Sequence, residues 1–274
     1  MIVVTGATGG VGAEVVRGLV ESGHRVRALS RRPDELAVPA GVETARADLA
    51  DAESLAAAFA GGTALFLYST FGDPAIPVAA ARAAGIARIV LLSSAAVRDG
   101  ADDPIARHHR AVEQAVESSG LAWTHLRPGG FASNARWLAP QVRDGVVRLA
   151  YPQVGTAPID PADIAAVAVR ALTEDGHAGR AYPLTGPEWL TQADEIRILS
   201  AALGVPLRVE QVDPEAEIAV LTGSIPERFA RGRLEIQAAM VDQPSSVVDT
   251  VERLLGRPAR TFAEWAATHA TEFK

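Results

Sequence analysis

Short apolar runs alternate with longer segments of helical period along the first two thirds of the chain. This alternation is typical of a parallel sheet that is covered by helices on both faces. It predicts strands at Ile2–Thr5, Arg25–Leu29, Val42–Ala45, Ala64–Tyr68, Arg88–Leu92 and Ala122–Leu126. It predicts helices at Val11–Ser22, Ala52–Phe59, Ile76–Ala84 and Pro104–Ser118. Each of these helices ends near a glycine, which is typical of C-terminal caps. The pattern therefore predicts an α/β fold with a doubly wound parallel sheet.

The regular alternation stops after Gly129. Residues 139–161 contain four prolines and are predicted to be irregular, whereas Asp160–Glu174 and Ala181–Gly186 are predicted to return as a helix and a strand. From Pro187 onward, helices are expected at Thr191–Leu203, Glu215–Leu221 and Val247–Leu255, without a strand alternation. We interpret residues 1–274 as one unit. Its core is residues 1–138 with 160–186, and residues 139–159 and 187–274 form a smaller C-terminal lobe.

Composition narrows the possible functions. The 274 residues are 48% hydrophobic and carry a net charge of −7 without a basic stripe, so nucleic acid is a poor partner. Cysteine is absent, which excludes disulfides, thiolate metal sites and cysteine nucleophiles. Any redox chemistry must then come from a bound cofactor. The chain has 26 basic residues, and Lys274 is the only lysine among them.

No charged leader or apolar signal segment precedes Ile2, and no run of about 18 apolar residues occurs. We therefore expect a cytoplasmic protein that does not enter a membrane. The arginine-rich and alanine-rich composition favours a GC-rich bacterial genome. We expect a small-molecule substrate and a monomer or homodimer.

The stretch TGATGGVG follows the first predicted strand and opens the first predicted helix. Its glycines Gly6, Gly9 and Gly12 are three residues apart. The first permits a tight turn, the second lets backbone amides approach a pyrophosphate, and the third allows the helix to pack closely on the strand. This arrangement predicts a Rossmann-type dinucleotide site.

The end of the second strand indicates which dinucleotide is bound. An acidic residue there binds the ribose of NAD, whereas an arginine accommodates the 2′-phosphate of NADP. The sequence places Arg31 and Arg32 at this point, which favours NADP(H). Asp34 and Glu35 follow Pro33 and could reach back, so NAD(H) remains an alternative.

These features together resemble the NmrA-like branch of the atypical short-chain dehydrogenases/reductases, which includes quinone and azo reductases. The resemblance rests on stretches that span nearly the whole chain: VTGATGGVG, ARADLAD, ARIVLLSSAAV, HHRAVEQAVESSGLAWTHLRPGGFASN, DPADIAAVAVRAL and GRPARTFAEWA. As a set these stretches are specific, and any one of them alone would not be.

The resemblance implies a set of cofactor-binding residues. In it, Arg31 would hold the 2′-phosphate, Asp48 and Leu49 would border the adenine, and Tyr68 and Ser69 would line the ribose. The whole implied set is Gly6, Thr8, Gly9, Gly10, Val11, Gly12, Arg31, Asp48, Leu49, Tyr68, Ser69, Ser93 and Pro128.

The same resemblance places the reacting groups. Pro128 with Gly129 would lie beside the nicotinamide carboxamide. Phe131, Asn134 and Trp137 would face the substrate. No metal is implied.

One family feature is missing. Reductases of this superfamily use a Tyr-x-x-x-Lys pair, in which the lysine lowers the pKa of the tyrosine proton donor. Here Ile105 takes the tyrosine position and His109 the lysine position. The polar groups left near the nicotinamide are Ser93 or Ser94, His109 and Tyr68. His109, as a histidine able to titrate near neutrality, and Ser94 are the catalytic candidates. Glu113, four residues after His109, is expected to form a hydrogen bond on the same helix face.

Loss of the tyrosine disfavours reduction of simple ketones. It is compatible with hydride transfer to a quinone, an enone or another conjugated acceptor, because the developing charge is delocalised there. The sequence therefore predicts an NADPH-dependent oxidoreductase acting on such an acceptor. Two alternatives stay open: a redox sensor of NmrA type that binds NADP without catalysis, and a non-redox cyclase or isomerase on the same fold.

Overall fold

The apolar runs of the N-terminal part form one parallel sheet in the computed structural model, which describes residues 1–69, 72–98, 100–241 and 246–274. Seven strands of these residues take part: β1 (Ile2–Val4), β2 (Val26–Ser30), β3 (Glu43–Arg46), β4 (Ala64–Tyr68), β5 (Arg88–Leu92), β6 (Ala122–Pro128) and β9 (Arg180–Leu184). Their order is β3-β2-β1-β4-β5-β6-β9, and every neighbouring pair is parallel. The predicted α/β doubly wound sheet is confirmed.

Helices cover both faces of this sheet. One layer contains α1 (Gly10–Glu21) and α6 (Pro161–Thr173), which pack on each other. The opposite layer contains α2 (Ala52–Phe59), α3 (Ala75–Ala83) and α4 (Pro104–Glu117). Alternate side chains of the strands, such as Leu65 and Leu67, pack with this second layer in a continuous core. This burial on both faces explains why the strands read as continuous apolar runs.

Glycines end the first-unit helices as expected. Gly23, Gly61, Gly85 and Gly120 all have φ between 71° and 78°, which L-residues other than glycine rarely adopt. The predicted boundaries of α1 to α4 agree with the structure to within one residue.

The loop between β1 and α1 is held by close backbone contact. A Cβ built on Gly12 would lie 2.1 Å from the carbonyl oxygen of Gly6 and 2.6 Å from its carbon. Gly6 itself has φ of 65°. The first turn of α1 can therefore sit against the end of β1 only if residue 12 has no side chain.

The chain divides into two compact units. The first comprises Met1–Pro128, Pro161–Leu184 and Arg253–Leu255, and the second comprises Gly129–Asp160, Thr185–Glu252 and Gly256–Lys274. Residues 129–138, which the sequence assigned to the core, belong to the second unit. The reason is that Ala132, Ala135 and Leu138 bury their side chains in the second unit's own apolar core. The interpretation of residues 1–274 as one unit stays a prediction.

The second unit is richer in regular structure than the sequence suggests. Its strands are β7 (Val146–Leu149), β8 (Gly155–Thr156), β10 (Leu190–Thr191) and β11 (Arg208–Gln211), which form the pairs β7–β11 and β8–β10. Its helices are α5 (Ala139–Arg143), α7 (Gln192–Leu203), α8 (Pro214–Leu221), α9 (Glu227–Ala239) and α11 (Phe262–Thr268). Helix α10 (Thr250–Leu255) contributes its last three residues to the first unit.

The local sequence pattern predicts none of these four short strands. The four-residue strands β7 and β11 are too short to show a clear period of two. Helix α9 was also missed, because Gly232 and several charged residues interrupt its apolar period.

Replacing Gly12 with alanine should destabilise the protein by about 2–3 kcal/mol or more, because the new methyl group collides with backbone that cannot rotate away. Gly9→Ala is the matched control. Its Cβ would lie 3.4 Å from the nearest atom, and its φ of −90° and ψ of 161° suit any residue. Urea unfolding of the protein without cofactor measures both changes. Equal stability of the two variants would contradict the close-contact argument.

Candidate cofactor site and active site

The start of α1 offers unpaired amides beside open space. No side chain caps the helix, and its first turn carries no carboxylate. Thr8, Gly9 and Gly10 are exposed, and a Cβ on Gly10 would meet nothing closer than 4.0 Å. The protein's own packing therefore does not require glycine at positions 9 and 10, whereas a ligand approaching the backbone does. Helix N-termini of this kind attract phosphate, so the loop fits a dinucleotide pyrophosphate.

Thr5 joins β1 to β4 at the point where the strand order reverses. Its buried hydroxyl donates to the carbonyl oxygen of Phe66 at 3.0 Å and accepts from the backbone amide of Tyr68 at 2.7 Å. The Tyr68 side chain, 45% exposed, lies over Gly6, where an added Cβ would be 2.9 Å from the tyrosine Cβ. Thr5 thus positions an aromatic ring beside the glycine loop. No motif in the sequence marks Thr5 as part of the site.

The two arginines after β2 differ in their partners. Arg32 pairs with Glu35 at 2.9 Å. Among the ion pairs of the described residues, none involves Arg31, which is exposed. The exposed guanidinium of Arg31 is therefore available for a phosphate, as NADP binding requires.

Asp48 and Leu49 follow β3 at the same edge of the sheet. One carboxylate oxygen of Asp48 accepts the backbone amide of Ala50 at 3.0 Å and so fixes a turn. Leu49 packs partly against the core formed with α2 and α3. Their predicted contact with adenine stays a prediction.

Ser93 is hydrogen-bonded to the carboxylate of the ion pair between Glu113 and Arg127. Its hydroxyl donates to Glu113 at 2.6 Å, and Arg127 binds both oxygens of the same carboxylate at 2.9 Å and 2.6 Å. Burial alone would raise the pKa of Glu113, but the hydrogen bonds from Arg127 and Ser93 outweigh it and hold the pKa below the ordinary value. The expected hydrogen bond between Glu113 and His109 is not formed, because Arg127 competes successfully for the carboxylate. The implied role of Ser93 in cofactor binding stays a prediction.

Glu113 also lies near His125 and Glu117, with one ligand atom from each within 4.8 Å of the others. Such a group can hold a metal ion. Here both oxygens of Glu113 are bonded to Arg127, and His125 bonds to Glu117 at 3.2 Å. The charge of the Glu113 carboxylate is therefore balanced by the Arg127 guanidinium.

Ser94 follows β5, and His109 lies on α4; these are the two predicted catalytic residues. The Ser94 oxygen accepts the amide of Ala96 at 3.1 Å, which leaves its own hydrogen free to donate. His109 is on the first half of α4, and its Nδ1 is buried without a hydrogen-bond partner. Burial, together with the charge of His108, lowers the pKa of His109 to about 4. His109 is therefore uncharged at neutral pH in the folded protein, and its predicted contact with substrate or cofactor stays a prediction.

The other histidine of the pair has a polar partner that the sequence did not reveal. The His108 Nε2 and the Ser69 hydroxyl are 3.1 Å apart. Ser69 follows β4 directly, so this bond ties the carboxyl end of a central strand to α4. Pro128 ends β6 nearby in the sheet order, is buried, and accepts the amide of Ala95 at 2.9 Å.

The three predicted substrate residues share one face of a 3-10 helix. This helix spans Ala132–Leu138, with Phe131 as its N-cap. Residues three apart eclipse one another in such a helix. Phe131, Asn134 and Trp137 are all partly exposed, whereas the residues that follow each of them are buried. The side-chain amide of Asn134 makes no hydrogen bond within the described part of the chain.

A cluster of polar side chains lies near Trp137 in the second unit. The Arg233 guanidinium stands 5.8 Å from the Trp137 ring and donates to Gln192 at 2.7 Å. Burial raises the pKa of Glu195 to about 7 and also raises that of Glu217. Glu217 is fully buried and accepts the amide of Ala150. These residues are far apart in sequence, so no local motif predicts the cluster.

A model of the NAD(P)H-binding family matches residues 6–175, which is more than half of the chain. The chain belongs to this family. The match begins at the glycine loop and includes α1 to α4. The resemblance predicted from the sequence and the Rossmann-type fold are both confirmed.

Named reductases align with the whole chain. A (4-alkanoyl-5-oxo-2,5-dihydrofuran-3-yl)methyl phosphate reductase of Streptomyces griseus is 44% identical and covers 100% of this chain and 99% of its own. The NAD(P)H azoreductase of Xenophilus azovorans is 38% identical, with 100% and 99% coverage. The structure of the Escherichia coli quinone oxidoreductase QOR2 with NADPH superposes with a TM-score of 0.82 at 26% identity, covering 98% of this chain and 99% of that one.

These similarities confirm the predicted enzyme class, an NAD(P)H-dependent oxidoreductase. No helix in the described residues is long and apolar enough to cross a bilayer.

The low pKa of His109 should appear in the pH dependence of stability. The unfolded histidine has a pKa of about 6.5, so protonation favours the unfolded chain as the pH falls from 6.5 towards 4. Between pH 7 and pH 4, wild type should lose about 1–3 kcal/mol more than His109→Gln, measured by urea unfolding at each pH. The exposed His24→Gln should follow the wild-type curve. Parallel curves for wild type and His109→Gln would contradict the assigned burial.

Proposed function

We propose that this protein is an NADPH-dependent reductase that transfers hydride to a small conjugated acceptor, such as a quinone or an α,β-unsaturated carbonyl compound. The observation that carries the proposal is the uncapped start of α1 with open space at Gly9 and Gly10, together with the unpaired guanidinium of Arg31. Both suit NADPH. The NADPH complex of the similar quinone oxidoreductase supports this choice of cofactor.

The cofactor would be held by groups of the first unit. The amides of the glycine loop and of the first turn of α1 would bind the pyrophosphate, and Arg31 would bind the 2′-phosphate. Tyr68, positioned by Thr5, would cover the ribose side of the loop. When bound, NADPH supplies the hydride.

The acceptor class follows from the proton donors. Ile105 stands where the superfamily has tyrosine, Ser93 is engaged by Glu113, and His109 stays neutral at physiological pH. A saturated ketone needs a strong proton donor as its oxygen becomes an alkoxide. A conjugated acceptor spreads the charge and needs less help. The dihydrofuran and azo reductases among the relatives also act, by their names, on unsaturated groups.

The predicted substrate residues carry groups that suit such an acceptor. Phe131 and Trp137 offer aromatic surface, and Asn134 offers a free amide that can donate a hydrogen bond to a carbonyl oxygen. Replacing Asn134 with leucine would then remove the polar contact without changing the buried face of the 3-10 helix.

Purified protein should oxidise NADPH in the presence of menadione or an acylated butenolide at least about tenfold faster than with cyclohexanone, because only the conjugated acceptors delocalise the charge. Absorbance at the NADPH band measures the rates. No oxidation with any quinone, enone or azo compound would refute the proposal. Conversion of a substrate after complete removal of the dinucleotide would favour the non-redox alternative.

Arg31→Ser should weaken NADPH binding by about tenfold or more and leave NADH binding unchanged, because only NADPH carries the 2′-phosphate. Arg32→Ser is the matched control. Arg32 already pairs with Glu35, so its loss should change the Kd for NADPH less than threefold by the same electrostatic reasoning. Nucleotide fluorescence titrations measure all four constants. Equal effects of the two substitutions would refute the assignment of Arg31.

A further inference from the structure

The hydrogen bond between Ser69 and His108 lies within the first unit at the edge that carries the cofactor loop. Ser69 follows Tyr68, whose partner in the neighbouring strand is Leu92, so Ser69 comes opposite the residue that follows β5. On the other side, Thr5 holds the amide of Tyr68 and links this strand end to β1. The Ser69 hydroxyl is therefore at the centre of the sheet's carboxyl edge, where ligands of doubly wound folds bind.

His108 reaches this hydroxyl from α4. The helix begins at Pro104, so its first half lies at the carboxyl edge of the sheet, because helix and strand run in opposite directions in such a fold. The Nε2 atom is 3.1 Å from the Ser69 oxygen. Both side chains are partly exposed, so solvent can reach them.

Other polar groups at this edge are less suited to deliver a proton. The Ser93 hydroxyl is bound to the Glu113 carboxylate, which is itself held by Arg127. Ser94 has a free hydrogen but no imidazole behind it to restore a proton. Within the described residues, Ser69 is the hydroxyl of this edge that is bonded to a histidine.

His109, the neighbour of His108, is the less easily protonated of the two. The two rings meet edge to face with centroids 5.3 Å apart. Burial and the charge on His108 together lower the pKa of His109, and burial alone lowers that of His108 less. A single proton added to the pair therefore resides on His108, the member that is bonded to Ser69.

The other charged groups of α3 and α4 lie or pair elsewhere. Arg107 pairs with Asp102, and Arg110 donates to the carbonyl oxygens of Ala101 and Arg98 before the helix. On α3, Arg82 lies beside Ser118 and Ser119 at the far end of α4.

We propose that Ser69 and His108 form the proton relay of the reductase, with Ser69 as the catalytic donor and His108 as the residue that restores its proton. This inference rests on the proposed function. The hydride carries two electrons to the acceptor and forms a C–H bond on an enone or an O–H bond on a quinone. The Ser69 hydroxyl gives its proton to the oxygen or carbon that becomes negative, and takes the Nε2 proton of His108 in return. The neutral imidazole then regains a proton from water, so one NADPH and one proton are consumed per acceptor reduced.

The relay is tested by His108→Gln, which keeps an amide donor near Ser69 but cannot titrate. In wild type, kcat with menadione should rise as the pH falls from 8 to 6, because His108 must be protonated to donate. The variant should show no such rise and a kcat at least about tenfold lower at pH 6, with the Kd for NADPH changed less than twofold. Ser69→Ala should lower kcat similarly, and the double variant should be no slower than the slower single one.

His24→Gln is the matched control, because His24 is exposed in the turn between α1 and β2, at the opposite edge of the sheet. It should leave kcat and its pH profile unchanged. If wild type turns over and His108→Gln keeps the wild-type rate and profile, the relay is refuted and the proposed function survives. If wild type reduces no conjugated acceptor, the proposed function fails and the relay with it.

A second readout does not depend on turnover. The imidazole signals of His108, assigned by comparison with His108→Gln, should shift when NADP+ is added to wild type, because the pair lies beside the bound cofactor. Ser69→Ala should change the pKa of His108 in the protein without cofactor. Imidazole signals that respond to neither change would refute the placement of the pair.

Discussion

The fold of the first unit depends on one close approach, that of the first turn of α1 to the end of β1. A distance that leaves no room for a Cβ at Gly12 brings the helix amides to the strand edge and opens the space around Gly9 and Gly10. The hydroxyl of Thr5 then extends this contact to β4 and orients Tyr68 over the loop. Cofactor loop, aromatic cover and the hydroxyl of Ser69 are thus placed by a single piece of backbone geometry.

The scarcity of lysine determines how charge is used in the rest of the fold. Lys274, at the end of the chain, is the only lysine, so cations inside the fold are guanidiniums, as Arg127 and Arg233 illustrate. A guanidinium keeps its proton even when it is buried. Such groups anchor carboxylates and phosphates, but they do not exchange protons near neutrality. Proton transfer near neutrality would therefore fall to histidines, and burial with the charge of His108 lowers the pKa of His109 to about 4.

The sequence predicted the first unit well because each of its elements carries a local signal. Apolar runs set the strands, terminal glycines set the helix ends, and the spacing of Gly6, Gly9 and Gly12 set the cofactor loop. The second unit was predicted poorly, since its strands have two to four residues and its polar cluster joins Gln192 to Arg233 across 41 positions. The same limit applies to the active site. Neither the bond from Ser69 to His108 nor the competition of Arg127 for Glu113 leaves a trace in local sequence, because both depend on which strands become neighbours.

The 3-10 helix at 132–138 has one buried and one partly exposed column of side chains. Its threefold period puts Ala132, Ala135 and Leu138 in the apolar core and leaves a second column of side chains outside it. An insertion of one residue would rotate every later side chain by about 120° and take Ala135 and Leu138 out of this core. The length of this segment is therefore fixed by packing, whereas an outer position such as Asn134 can change at smaller cost to the core.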